Sequence, residues 1–134
     1  MFYTLDNNNY REFLMLLLNS MKPLRLERGE IIFDHQTEVN EVDFIEQGNV
    51  DIGFAVNRGK KFALRLFDSS VLGAFNCQNN SKTMFVYKAQ SDIKGYFVTK
   101  DVWKQLVEDF DDISIYVSGQ TEMFYMQKIR KPLL

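Results

Sequence analysis

The chain has 134 residues, with 16 Lys and Arg against 18 Asp and Glu, and 14% of its residues are aromatic. That length suits one domain whose core can fold without disulfides or metals, the 12 Phe and 6 Tyr exclude a disordered chain, and a net charge of −2 with mixed signs argues against a nucleic-acid surface. A lone cysteine, Cys77, and a lone histidine, His35, leave no intrachain disulfide and no good basis for a His-rich metal site, a zinc site or a Ser-His-Asp triad; a reducing compartment is expected.

In chain order, Asp6-Asn7-Asn8-Asn9 offers N-cap residues to a helix over 10–21, in which Phe13, Leu14, Leu17, Leu18 and Met21 recur at helical spacing. The longest apolar run, 13–18, has six residues and is too short to span a bilayer. No basic region precedes it, so it does not read as a secretory signal, and a soluble chain is expected. Pro23 ends the helix and holds Lys22 extended. The period then changes to two. Leu24-Arg25-Leu26, Ile31-Ile32-Phe33, residues 42–45, 50–54 and 62–66 read as short strands, separated by turns at Arg28-Gly29-Glu30, Gln47-Gly48-Asn49 and Asn57-Arg58-Gly59-Lys60. His35, between Asp34 and Gln36, reads as an exposed turn residue.

Residues 68–84 break this rhythm with Asp68-Ser69-Ser70, Gly73 and a polar stretch, in which Cys77 reads as a small filler or a partly exposed loop residue. Strands resume at 84–89 and 95–98. Asp101 then caps a helix over 101–110 and Asp111 or Asp112 a second over 113–130, which Pro132 ends. Trp103 reads as an anchor of the first against the core, and Gly119 weakens the second. Asp109, Asp111 and Asp112 lack the glycine and terminal Glu of a calcium loop. Short strands between glycine turns predict an α+β chain. It is an antiparallel, jelly-roll-like β-roll over 24–99 with an N-terminal helix and two C-terminal helices, one domain over 1–134.

This order, with Arg28-Gly29-Glu30-Ile31-Ile32, the hairpin Val42-Asp43-Phe44-Ile45-Glu46-Gln47-Gly48-Asn49-Val50, Val71-Leu72-Gly73-Ala74 and Tyr87-Lys88-Ala89, resembles the cyclic nucleotide-binding domain family. The wording around Asp51-Ile52-Gly53-Phe54 and Val71-Leu72-Gly73-Ala74-Phe75-Asn76 is most similar to cytoplasmic domains of voltage-gated cation channels. The ether-à-go-go and cyclic-nucleotide-gated potassium channel superfamily is the nearest match.

The resemblance implies a phosphate-binding cassette over 68–84. In family members that bind nucleotide, a Glu directly after the Gly accepts from the ribose, and an Arg nine residues further on pairs with the cyclic phosphate. Those positions are Ala74 and Thr83 here, so both charges are missing while the spacing from Gly73 to Ala89 is kept. Leu72, Gly73, Ala74, Phe75, Lys82, Thr83, Met84 and Phe85 are the implied pocket residues, with Lys82 the substitute cation one position off register and Met84 and Phe85 adding apolar bulk. Phe124, Tyr125, Lys128 and Arg130 are placed on the terminal helix as its lid.

The implied function is a regulatory domain of a cation channel, weak or inert towards cAMP and cGMP, with no catalytic residue, metal or cofactor. It lies on the cytoplasmic face of a membrane without entering it. Its partners are the channel's transmembrane domain and linker in cis, and other subunits of a tetramer. The alternatives are a true cAMP or cGMP sensor using Lys82, and an adaptor outside any channel that docks a partner through its last helix.

Overall fold

The structure, a computed structural model, describes residues 7–134. The expected cap at Asp6 lies outside the described residues. Helix α1 (Asn7–Ser20) begins earlier than the periodicity predicted. It buries Phe13 and Leu17 and sets the Phe13 ring edge-on against Phe110 at 5.7 Å. Leu18, expected on the same face, is 63% exposed, because the helix meets the rest of the chain along a stripe narrower than its run of leucines.

Among the described residues, eight strands form two four-stranded antiparallel sheets. One has the order β1 (Lys22–Leu26), β8 (Ile93–Thr99), β3 (Glu41–Gln47), β6 (Ser70–Leu72). The other has the order β2 (Ile31–Phe33), β7 (Val86–Ala89), β4 (Asn49–Val56), β5 (Gly59–Phe67). The roll predicted from the alternation and the glycine turns is therefore the fold of the chain. Its core is built of side chains such as Ile45, Val50, Ile52, Leu72, Phe85 and Tyr87, all nearly inaccessible to solvent. Gly48, at φ +115°, turns β3 into β4 where an added Cβ would sit 2.5 Å from the Asp92 carbonyl oxygen, so both conformation and space require glycine.

The irregular stretch 68–84 is more ordered than its sequence suggested. It contains β6 and a short helix α2 (Ala74–Asn79), which buries Cys77 completely and makes it a core filler, not a loop residue. The strand expected from 84 begins at Val86. The preceding residues are held by the loop after β2: the Gln36 N–H donates to the Thr83 carbonyl (2.9 Å) and the Thr83 N–H to the Thr37 carbonyl (3.1 Å).

Helix α3 (Lys100–Asp109) is capped by Thr99, whose Oγ1 accepts from the Val102 N–H at 3.3 Å, and Asp101 sits in its first turn. A threonine already at the strand end reaches the third amide of the helix. Asp101, in that first turn, complements the positive end of the helix dipole. Helix α4 (Asp111–Phe124) opens two residues before the expected start and widens into a π-helical turn, Tyr125–Arg130. A last turn, α5 (Lys131–Leu133), includes Pro132, so the proline does not end the helix. It lies in the first turn of that segment, where a missing N–H is tolerated, and the Leu134 N–H still donates to Arg130 (2.9 Å). No helix among the described residues is long and apolar enough to cross a membrane.

Candidate functional site

Gly73 starts the site. At φ +89° it carries the chain from β6 into α2, and a Cβ there would meet the Glu41 carbonyl oxygen at 2.6 Å and side-chain carbons of Val39 and Phe33 at 3.0 and 3.1 Å. A glycine is needed for the left-handed turn and for the close approach of α2 to β3. Gly73→Ala is expected to cost about 2 kcal/mol, from left-handed strain plus the clash. Urea unfolding checks this, and an unchanged midpoint would show that the turn relaxes freely.

Past this glycine, Ala74, Phe75 and Asn76 form one wall of a cavity of about 330 Å³. Gln120, Thr121 and Phe124 of α4, with Tyr125 and Ile129 of the π turn, form the facing wall. Phe44, Tyr87 and Trp103 close it from the roll and α3. The Tyr125 ring lies flat on Phe75, centroids 4.2 Å apart and planes 4° from parallel, and leans on Phe85 at 6.4 Å. Phe85 in turn meets Phe54 edge-on at 5.6 Å, so an unbroken aromatic stack runs from the second sheet to the terminal helix. Burial raises the pKa of the Tyr125 hydroxyl, with Arg130 pulling the other way.

A polar clamp fastens α4 to α2. Gln78 of α2 donates from Nε2 to the Ser118 hydroxyl (2.9 Å), and its Oε1 accepts from the Thr121 hydroxyl (2.5 Å). The amide of buried Asn76 donates to Ser81 Oγ and the Lys82 carbonyl, which closes the loop after α2 and leaves little of that amide for a ligand. Trp103, edge-on to Phe44 at 6.2 Å, is both the expected core anchor and a wall of the cavity; its Nε1 is buried without a partner. Among the described residues, no charged side chain lines the cavity.

Of the residues singled out from sequence, Gly73, Ala74, Phe75, Phe124 and Tyr125 converge on this cavity, and the others lie elsewhere. Leu72 is in the core behind it. Lys82 is exposed, and its backbone forms an isolated antiparallel β-bridge with that of Glu38. Thr83 is 2% exposed, but its hydroxyl donates to the Phe85 carbonyl (2.7 Å) and accepts from the Phe85 N–H (3.1 Å), so it stitches the chain to itself. Met84 is 49% exposed, whereas Phe85 is fully buried and reaches the site only through Tyr125. Lys128 and Arg130 face outward. Missed from sequence were Gln78, Ser118 and Thr121: forty residues separate Gln78 from Ser118, and no local pattern announces such a clamp.

No family model matches the chain, and no curated protein matches it in sequence. Solved structures do match. The C-linker/CNBHD of zELK channels, crystallised in the presence of cAMP, superposes with a TM-score of 0.72 at 12% identity over 84% of this chain. The Thermus thermophilus catabolite activator protein gives 0.69 at 11% over 94%, and a cAMP-binding acyltransferase from Mycobacterium smegmatis 0.61 at 18% over 72%. The fold is that of a cyclic nucleotide-binding domain. The chain spans 57%, 58% and 30% of those three proteins, respectively, so the likeness extends to this fold and not to the rest of each.

Proposed function

We propose that this chain is a regulatory domain of the cyclic nucleotide-binding type whose own terminal helix occupies the place of the nucleotide. The observation that carries the reading is the cavity wall itself: Tyr125 stacks on the cassette's Phe75, and no charged side chain is there to meet a cyclic phosphate. A phosphate moved out of water into such surroundings loses its hydration without a counter-charge, which is unfavourable by several kcal/mol. The residues assigned to the pocket are Gly73, Ala74, Phe75, Phe124 and Tyr125, with Lys82, Lys128 and Arg130 outside it.

The mechanism is a population shift. The terminal helix has one placement with Tyr125 seated and another with it released, and whatever binds one better moves the balance. The likeness to a channel's C-linker/CNBHD, together with the channel-like wording of the cassette, supports a cytoplasmic position beneath a cation channel, most simply a potassium channel. There the helix would pass its position through a linker to the pore. The reading is of a binding domain and assigns no catalytic step.

Calorimetric titration with cAMP and with cGMP tests it. No saturable heat is expected at micromolar nucleotide. Micromolar binding by both the wild type and Lys82→Ala overturns the degenerate cassette, and binding lost in Lys82→Ala alone points to a sensor that uses this lysine. Six hydrophobic spans upstream in the full-length protein would support the channel assignment; their absence would favour an adaptor.

A further inference from the structure

A second cavity, also of about 330 Å³, opens at the end of the roll where β1, β2 and β3 come together, and it shares no lining residue with the first. Leu24 and Phe97 of one sheet and Ile32 and Phe33 of the other form apolar walls. Its polar groups are all acidic or neutral acceptor-bearing side chains: Glu38 and Asn40 are exposed at the mouth, Glu41 is half-buried and Asp43 is deep.

Asp43 is only 1% exposed, and its Oδ1 has no hydrogen-bond partner. Its carboxyl is within hydrogen-bonding reach of Glu41, and among the described residues neither forms an ion pair. Burial and the neighbouring Glu41 push the Asp43 carboxyl up to about 9, so at neutral pH Asp43 holds its proton. An unsatisfied buried acceptor is costly and is ordinarily matched by a partner.

We infer that this cavity is a binding site for a small organic cation, an amine with an apolar body, whose ammonium is held by Asp43 and Glu41 while Leu24, Ile32, Phe33 and Phe97 enclose the rest. The chemistry of the walls selects this class. An ammonium supplies the donors and the positive charge that the carboxyl pair lacks, and the apolar walls favour a hydrocarbon body over a hydrated one. A metal ion fits poorly, because among the described residues no three His, Cys, Asp or Glu side chains gather at one point. The volume is at the small end of ligand pockets and suits a one-ring or short-chain amine.

Two-dimensional amide NMR titrations with phenethylamine, propylbenzene and 3-phenylpropionate test this, with the first as the probe and the others as its neutral and anionic counterparts. Phenethylamine is expected to shift the amides of Leu24, Ile32, Glu41 and Phe97 saturably and to bind at least tenfold tighter than either counterpart. In the double variant Asp43→Asn with Glu41→Gln, which keeps the shape and removes the charge, that preference should vanish while propylbenzene binding stays as it was. The inference is overturned if propylbenzene binds within threefold of the amine, if the double variant binds the amine as the wild type does, or if the shifts centre on Phe75 and Tyr125. None of these outcomes bears on the nucleotide titration, which concerns the other cavity.

Discussion

Tyr125→Ala is expected to lower the unfolding free energy by about 3 kcal/mol and to release the terminal helix from the roll. The ring is 6% exposed and touches two other aromatic rings, Phe75 face to face and Phe85 at a tilt. Removing a buried aromatic costs about 3–5 kcal/mol in a core that cannot collapse around the gap. The lower end applies here, because the helix that carries the residue can move. Tyr125→Phe keeps the stack and is expected to cost well under 1 kcal/mol, since the hydroxyl makes no packing contribution comparable to the ring.

Two measurements separate a lid from an ordinary core residue. Guanidinium unfolding gives the stability loss. Native-state amide exchange locates it: in Tyr125→Ala the amides of α4 and the π turn should exchange far faster, while those of β3, β4 and β7 keep their protection. Once Tyr125 is gone, the Gln78 clamp on Ser118 and Thr121 still ties α2 to α4 by side-chain hydrogen bonds, and a part-buried hydrogen bond of that kind contributes about 1 kcal/mol. A uniform rise in exchange across the roll would show that Tyr125 supports the whole core and that there is no separate lid.

What could be read before the structure depended on how local the signal was. The strands were legible because a period of two and a glycine turn are both decided within a few residues; Gly48 marked the β3–β4 turn from sequence alone. β6 and α2 were not legible: a three-residue strand and a six-residue helix are too short to show a period, and α2 exists because Gly73 turns the chain back onto β3. Thr99 and Asp101 have similar capping ability, and which of them opens α3 depends on where the strand ends, a fact no local pattern carries.

At the site, register placed Ala74 and Phe75 at the cavity, but register says nothing of which way a side chain turns in irregular backbone. Lys82 points to solvent and Thr83 folds its hydroxyl onto Phe85, facts set by hydrogen bonds to the loop after β2 that is nearly fifty residues away in the chain. Lys128 and Arg130 were assigned to the lid by position along a helix. The π turn instead buries Tyr125 and Ile129 and leaves both cations outside. Asp43 was read as one residue of a strand, and only the second sheet standing over it makes it buried.

That burial sets the pH dependence of the protein. Asp43 keeps its proton in the folded chain up to about 9, whereas in the unfolded chain a carboxyl releases it near its ordinary value of about 4. Between those values the native state binds a proton that the unfolded state does not, so stability is full at the acidic end and falls as pH rises through the window, by about 1.4 kcal/mol per pH unit at most. The other groups facing Asp43 do not reverse this. Glu41 raises the Asp43 value through its hydrogen bond and its charge, and Cys77, pushed up to about 12 by burial, stays a thiol throughout the window. Lys100 and Lys104 lower the Cys77 value but do not offset its burial, and Glu38 is exposed at the mouth. Urea midpoints measured from pH 5 to pH 9 should therefore decline in the wild type. In Asp43→Asn, where the amide is neutral at every pH, the decline should largely disappear, and the variant should be the more stable of the two at pH 8. Parallel profiles for the two proteins would mean that Asp43 is ionised in the folded state, satisfied by a partner on the cavity wall, and that the slope has another source.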